Sequence, residues 1–237
     1  MKLVRDKRPL YMQVMSILKD RILHGEYPVE TNIPSEPLLE QEFQVSKITV
    51  RNAIKALVQE GYLETSSGKG TKVIRNTSTS KLSKLKRFTE VLVDEGRHIR
   101  KQLLSAEAVD NEAGTEAYRL FGARSVRIQR LYHLDGDPYI HYTHYLSASL
   151  VHSAPDELHI QSLYDWLEEQ DVVPDRYRDE FAAAAVPEAV AEALRVGLSA
   201  VLLKRSRFAY DQSGDLVEYS VGYYNTERHP YVVNYDV

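Results

Sequence analysis

The 237-residue sequence predicts an α+β protein with a small N-terminal domain and a larger C-terminal domain built on an antiparallel sheet. Apolar residues recur every three or four positions over the first 60 residues, which indicates helices. The rest of the chain pairs β-rich segments across short turns, which indicates hairpins packed with helices. The net charge of −4 divides into +7 over residues 1–87 and −11 over the remainder. This asymmetry predicts that one domain attracts polyanions and the other does not.

Composition excludes several classes of protein. The sequence has no Cys, so it can form neither a disulfide framework nor a thiolate-ligated metal site, and a reducing compartment fits. No apolar run approaches the ~20 residues that span a bilayer. The first residues, MKLVRDKRPLYMQV, lack the apolar segment of a secretory signal. We therefore expect a cytoplasmic protein with no membrane partner, no cofactor and no bound metal.

Three helices are predicted in the N-terminal domain. The first runs from about Pro9 to Leu23, the second begins at Ser35 as its N-cap, and the third covers Lys47 to Glu60 with Ser46 as its N-cap. Their predicted buried residues are Tyr11, Met15, Leu18, Ile22, Leu38, Leu39, Phe43, Val50, Ile54, Leu57 and Val58.

A small hairpin follows the third helix. Residues 62–65 and 71–74 have the pattern of two short strands, and the loop between them carries Gly68 and Gly70. Two short helices at a tight turn followed by a glycine-tipped hairpin predict a winged helix-turn-helix. The polar, basic residues 75–87 are predicted to form a linker, so the domains are placed at 1–74 and 88–237.

The third helix has the residues of a DNA-reading helix at its N-terminal end. The major groove of B-DNA admits one α-helix, whose first residues meet base edges while flanking groups bind phosphates. Lys47 and Arg51 supply positive charge there, and Lys69 supplies it at the tip of the hairpin. The alternative is a three-helix packing unit with a solvated charged face. The combination of cap, turn, basic helix and glycine-tipped hairpin favours double-stranded DNA as the partner.

Residues 9–73 closely resemble the winged helix-turn-helix of the GntR family of bacterial transcription regulators. The matching segments are 33–36 (IPSE), 45–51 (VSKITVR), 60–63 (EGYL) and 68–71 (GKGT). The resemblance implies that Ser46, Lys47, Thr49 and Arg51 contact DNA and that Gly68 enters the minor groove. With their neighbours, the candidate DNA-binding residues are Ser35, Ser46, Lys47, Thr49, Arg51, Gly68, Lys69 and Thr71. One departure is Pro37, which stands where the family has an Arg that contacts DNA, so operator affinity or preference should differ.

The C-terminal domain mixes hairpins and helices. Strands are predicted over 125–134, 138–146, 200–210, 216–224 and 231–235, and helices over 88–95, 112–120, 161–170 and 187–195. Thirteen of the sixteen Tyr lie after residue 87. Tyrosine joins an apolar ring to a hydroxyl, which suits a pocket for small polar ligands such as sugars, although most Tyr in proteins serve as core or interface aromatics.

This domain resembles the UTRA effector domain of the HutC subfamily, a fold shared with chorismate lyase. The matching segments are 88–90 (FTE), 128–130 (IQR), 162–165 (SLYD), 218–220 (EYS) and 223–224 (YY). Residues in these segments bind the effector in phosphosugar-sensing members, and the resemblance implies the same role in this chain. The candidate effector-binding residues are Thr89, Arg130, Tyr132, Tyr142, Ser162, Tyr164, Glu218 and Tyr224. Tyr132 replaces a second Arg and Tyr142 replaces a Glu, which favours a less anionic ligand than a phosphosugar.

The sequence leaves two other functions open. The fold has catalytic relatives, so a lyase or hydrolase is the alternative, but no paired carboxylate or Ser/His/Asp signature stands out. His141 and His144 lie three apart on a predicted strand and should face opposite sides, which opposes a metal site. A pure interaction module would show no salt-dependent DNA binding. The sequence therefore predicts a homodimeric repressor that leaves a pseudo-palindromic operator when a phosphosugar, sugar or other small polar metabolite binds.

Overall fold

The computed structural model describes residues 9–66, 68–76, 92–93, 95–148, 163–169 and 172–232. The chain divides into two compact units, residues 1–99 and 100–237. Of the predicted linker over 75–87, only residues 75 and 76 are among those described, and most of the predicted helix over 88–95 lies outside them. No helix in the described part of the chain is long and apolar enough to cross a membrane.

The first unit contains the three predicted helices, α1 (Leu10–Leu23), α2 (Glu36–Phe43) and α3 (Lys47–Gln59). Their core consists of Val14, Ile17, Leu18, Ile22, Leu39, Phe43, Val50, Ala53, Ile54 and Leu57. The predicted burial of Leu38 and Val58 is wrong, because these side chains are 57% and 37% exposed. On an eight-residue helix one apolar stripe suffices, and Leu39 and Phe43, four residues apart, form it. The turn from α2 to α3 passes through Gln44 in the left-handed conformation.

The hairpin consists of β1 (Leu63–Ser66) and β2 (Gly70–Val73), antiparallel, with Leu63 opposite Val73. The chain before α2 also joins this hairpin, which the sequence analysis did not predict. Ile33 donates its backbone N–H to the carbonyl of Thr71 at 2.9 Å, and Asn32 forms an isolated bridge with Lys72. The entry to α2 and the hairpin are thus hydrogen-bonded to each other.

The second unit is built on a six-stranded antiparallel sheet. Its strands are β3 (Ile99–Asp110), β4 (Arg124–Leu134), β5 (Asp137–Ser147), β6 (Arg176–Ala185), β7 (Val201–Tyr210) and β8 (Leu216–Tyr224), in the order β3-β4-β5-β8-β7-β6. The helices are α4 (Glu116–Phe121), α5 (Leu163–Glu169) and α6 (Glu188–Leu194). The four predicted hairpin strands are confirmed as β4, β5, β7 and β8. Of the predicted last strand over 231–235, residues 231 and 232 have no regular structure and the others lie outside the described residues.

The two edge strands, β3 and β6, were not predicted. β6 is mostly exposed and ends in four consecutive alanines, a residue depleted in strands, so neither alternation nor composition identifies it. Hydrogen bonding to β7 over its whole length makes it a strand.

The helices cover the two faces of the sheet. On one face, Trp166 and Leu167 of α5 pack with Val126, Ile128 and Leu146. On the other, Val190 and Leu194 of α6 pack with Leu131 and Leu202. Beside the apolar cluster of α5, the same face of the sheet carries charged and tyrosine side chains, which form the candidate site described below.

Candidate functional site

The N-terminal end of α3 presents hydroxyl and cationic groups to solvent. Ser46 caps the helix, because its side chain accepts a hydrogen bond from the backbone N–H of Thr49 at 3.4 Å, and the two hydroxyls are 2.9 Å apart. Ser46 and Lys47 are exposed and Thr49 is half-buried. The free N–H groups and the dipole of a helix also favour an anion at this end.

Arg51 lies one turn further along α3 and is held by an ion pair. Its Nε donates to both carboxylate oxygens of Glu36, at 2.9 Å and 3.1 Å. The side chain of Arg51 remains 55% exposed. Exposed pairs of this kind contribute ~0–1 kcal/mol, so the guanidinium can exchange Glu36 for a phosphate or a base edge at little cost.

Ser35 stands at the N-cap of α2, as predicted, but its side chain makes no capping hydrogen bond. Its hydroxyl is exposed beside the ion pair of Glu36. Pro37 lies in the first turn of α2, where its missing N–H leaves no intrahelical bond unmade.

The tip of the β1–β2 hairpin allows close approach of another molecule. Gly68 has φ +74°, a conformation that favours glycine, and a Cβ built on it would meet no atom within 4 Å. Lys69 is exposed, and its carbonyl accepts a hydrogen bond from the Asn32 side chain at 3.0 Å. Thr71 is half-buried, with its hydroxyl 3.4 Å from that of Thr65. The tip therefore combines a sterically open backbone at Gly68 with the positive charge of Lys69. Hydrogen bonds hold the hairpin next to the tip.

In the second unit, strand register aligns the candidate effector residues across the sheet. Arg130 of β4 lies opposite Tyr142 of β5, Tyr142 lies opposite Gly222 of β8, and Gly222 lies opposite Arg205 of β7. Directly opposite residues of antiparallel strands share a face, so these residues form one row. The parallel row two residues away contains His144, Ser220, Arg207 and Asp179. We call these two rows, together with the residues that contact them or each other (Tyr132, Tyr164, Glu218 and Tyr224), the polar face.

Tyrosines surround the centre of the polar face. Tyr142 packs edge-to-face against Tyr132, with ring centroids 5.1 Å apart, and against Tyr224, at 5.8 Å. The hydroxyls of Tyr142 and Tyr224 are hydrogen-bonded to each other. Four of the predicted residues, Arg130, Tyr132, Tyr142 and Tyr224, thus lie close together, and all are buried.

Glu218 anchors a second part of the polar face. One carboxylate oxygen lies 2.7 Å from Nδ1 of His144, and the other accepts a hydrogen bond from the Tyr164 hydroxyl at 2.9 Å. Burial lowers the pKa of His144 and outweighs the opposing effect of Glu218, so the ring is neutral and donates Nδ1–H. Burial opposes ionisation of Glu218, but the contacts with His144 and the nearby Arg207 hold its pKa below its usual range. The predicted proximity of Tyr164 and Glu218 is thus observed.

Several charged or titratable residues of the polar face are not among the predicted site residues. Arg205 and Arg207 lie two apart on β7, and His144 joins them on β5. Two arginines spaced two residues apart on a predicted strand, which places both on one face, were the available signal. Asp179, which neutralises Arg207, lies on the edge strand β6 that the sequence did not reveal. Thr89 and Ser162, both predicted to bind effector, lie outside the described residues.

The polar face carries cations, carboxylates and tyrosine hydroxyls, which suits a small polar molecule. In the described part of the chain, no three His, Cys, Asp or Glu residues are grouped so that they could hold a metal ion. His141 faces the side of the sheet opposite His144, as its pairing with Leu131 requires.

Comparisons with known families match both units. Residues 10–73 match the model for bacterial regulatory proteins of the gntR family, and residues 94–230 match the model for the UTRA domain.

Similar proteins cover nearly the whole chain. The chain is 29% identical over 230 residues to the HTH-type transcriptional repressor NagR of Bacillus subtilis, covering 94% of this chain and 93% of that protein. It is 30% identical over 217 residues to a probable fructoselysine utilization operon transcriptional repressor of Shigella flexneri, covering 89% and 88%. The crystal structure of PhnF from Mycobacterium smegmatis shares the fold, with a TM-score of 0.55 and 20% identity, over 94% of this chain and 99% of that one.

Proposed function

Because this chain belongs to the GntR family of bacterial DNA-binding transcription regulators and carries the UTRA domain of its HutC subfamily, we propose that it represses an operon for the use of a sugar or other small metabolite. Residues 1–74 read the operator, residues 75–87 link the domains, and residues 88–237 bind the effector and dimerise. Two chains place their α3 helices in successive major grooves of a pseudo-palindromic operator, about one helical turn apart.

The observation that carries the DNA-binding part is the exposure of hydroxyl and cationic groups on α3 and at the hairpin tip. Ser46, Lys47 and Arg51 project from α3, and Lys69 projects from the hairpin tip, next to the open backbone of Gly68. Helix insertion in the major groove and hairpin approach to the adjacent backbone would use all of these groups at once.

The DNA test selects bound fragments from a genomic library and measures their affinity by fluorescence anisotropy over a series of salt concentrations. Arg51→Ala should weaken operator binding by ~1–3 kcal/mol. Arg119→Ala, which removes an exposed arginine from α4, is the control and should bind like wild type. Wild-type protein that binds no fragment, even at low salt, would refute the proposal.

The effector part rests on the polar face. Its buried hydroxyls, guanidinium groups and carboxylate could meet several polar groups of one small ligand. The name of the Shigella flexneri relative refers to the utilization of fructoselysine, a sugar derivative, which supports this class of effector. The protein would bind the effector without converting it, so turnover of the effector by the whole chain would contradict the proposal.

Arg130 provides the effector test. A thermal-shift screen of sugars, sugar phosphates, amino acids and organic acids would identify a ligand, since specific binding raises the melting temperature. Arg130→Ala should abolish release of the operator by that ligand and leave operator affinity unchanged. If the variant still releases DNA at the wild-type ligand concentration, the effector binds elsewhere. Circular dichroism would verify that the variant is folded.

A further inference from the structure

Arg205 is a buried cation at the centre of the polar face. The residue is only 8% exposed, and its Nε has no hydrogen-bond partner in the part of the chain that the structure describes. Nη2 donates to the Tyr142 hydroxyl at 3.1 Å, and Nη1 donates more weakly to the Tyr231 hydroxyl at 3.4 Å. The guanidinium also lies over the rings of Tyr142 and Tyr224, 5.5 Å and 5.6 Å from their centroids. Among the described residues, no carboxylate forms an ion pair with it.

Arg207, on the same strand as Arg205, has its charge neutralised by a carboxylate. It lies two residues along β7 on the same face, and it forms two hydrogen bonds of 2.7 Å with the two carboxylate oxygens of Asp179. Asp179 is supplied by the neighbouring strand β6, directly opposite Arg207. The residue of β6 opposite Arg205 is Phe181, which supplies no charge.

The tyrosines around Arg205 do not compensate its charge. Burial raises the pKa of Tyr142 and holds that of Tyr224 well above its usual range, so both hydroxyls are neutral at physiological pH. A guanidinium is always charged, and an ion removed from water without an opposite charge is costly. The Tyr142 hydroxyl is also hydrogen-bonded to the Tyr224 hydroxyl, so the contacts of Arg205 are neutral groups. The cluster is therefore complementary to an anion that the described residues do not provide.

We propose that Arg205 is the anion-binding residue of the effector site and that the effector carries an oxyanion, either a phosphate or a carboxylate. The guanidinium binds this group through charge-assisted hydrogen bonds. The inference rests on the proposed function, because it assigns one chemical group of the effector. Tyr132, which stands where the family has a second Arg, favours a less anionic ligand. The inference from Arg205 differs, because it requires a negatively charged group on the effector.

The test uses the full-length chain and simple anions as probes. Melting temperatures are measured while potassium phosphate or potassium acetate replaces potassium chloride at constant ionic strength and pH. Wild type should be stabilised by at least one of the two oxyanions, and the more effective one identifies the group as phosphate or carboxylate. Arg205→Gln should raise the half-saturating concentration about tenfold or more, because it removes the charge-assisted hydrogen bonds. Arg178→Gln, an exposed arginine on β6, is the control and should respond like wild type.

Arg205→Lys keeps the charge but loses the planar fork, so it should respond more weakly than wild type, and it serves if Arg205→Gln does not fold. No oxyanion-specific stabilisation of wild type, or wild-type responses from both Arg205 variants, would overturn the inference. DNA binding is measured on the same preparations. Intact salt-dependent DNA binding without an Arg205-dependent response overturns this inference alone, whereas wild type that binds no DNA overturns the proposed function.

Discussion

Gly222 determines how Tyr142 is placed in the polar face. A Cβ at position 222 would lie 2.5 Å from Cε1 of Tyr142, a distance that real Cβ atoms essentially never show. The absence of a side chain on β8 therefore lets the ring from β5 lean across that strand towards Arg205 on β7. One glycine thereby permits a contact between residues whose strands are not neighbours.

Gly222→Ala should destabilise the protein by ~1–3 kcal/mol, because the tightly packed ring of Tyr142 must move. Urea denaturation followed by circular dichroism measures this change. Gly197→Ala is the matched control: position 197 is exposed and the atom nearest to a Cβ built there lies 3.9 Å away, so we expect a change within ~0.5 kcal/mol. Equal stabilities for the two variants would show that Tyr142 is not constrained by Gly222.

The pair of His144 and Glu218 predicts a loss of stability in acid. The pKa of folded His144 lies below its ordinary 6.5, so the unfolded chain takes up the proton first and the free energy of unfolding falls as pH drops below about 6.5. Glu218, whose pKa is also lowered, acts in the same direction as pH falls through and below its ordinary 4.5. His133 and His141 have lowered pKa values too, so they add to the first effect.

His144→Gln should make the dependence shallower between pH 7 and 5, by at most about 1.4 kcal/mol per pH unit, because one proton fewer is linked to unfolding. Urea titrations at several pH values measure the slope. His98→Gln replaces an exposed histidine and serves as the control. A slope identical to that of wild type would show that His144 does not resist protonation in the folded state.

At the level of helices and strands, the sequence predicts those elements whose formation depends on local sequence patterns. The three N-terminal helices, the hairpin and the four central strands carry their own periodicity, caps and turns, and all are observed. The edge strands β3 and β6 depend on pairing with β4 and β7, which no local pattern reveals. For the same reason the sequence predicts Tyr142 and Glu218 as candidate site residues but not Arg205 and Arg207, whose surroundings depend on the neighbouring strands.

The ion pair between α2 and α3 predicts a gain of function. Glu36→Gln should tighten DNA binding several-fold, because it frees Arg51 and removes a negative charge near the DNA phosphates. It should change stability by less than ~1 kcal/mol, since the pair is exposed. Glu116→Gln breaks the Arg119 pair on α4, whose carboxylate has almost the same exposure (34% against 32%), and should leave DNA affinity unchanged. Weaker binding by Glu36→Gln would mean that the carboxylate orients Arg51 for contact.

At the level of the whole molecule, the uneven charge of the chain and the proposed dimer both affect how steeply DNA binding weakens as the salt concentration rises. The logarithm of the DNA association constant falls with the logarithm of salt concentration by about 0.9 for each phosphate that a cation neutralises. Because each cation appears twice in a homodimer, a substitution should change this slope by twice the single-site amount.

Lys69→Ala should therefore make the salt dependence shallower by about 1.8 if two hairpin tips contact DNA, and by about 0.9 if only one does. Fluorescence anisotropy across salt concentrations measures the slope, and sedimentation of the complex gives the number of chains per operator. An unchanged slope would show that Lys69 does not contact DNA. A slope change of about 0.9 together with one chain per operator would contradict the dimer. Arg178→Ala, in the second unit, is the control.

The hydrogen bond from Asn32 to the carbonyl of Lys69 has a thermodynamic consequence for recognition. A loop that is free in solution loses conformational entropy when it docks, and that loss is subtracted from the affinity. Here the hairpin tip is tied to the segment that leads into α2 before any DNA is present. Its preorganisation should give DNA binding a smaller entropic penalty than an untethered tip of the same composition would incur.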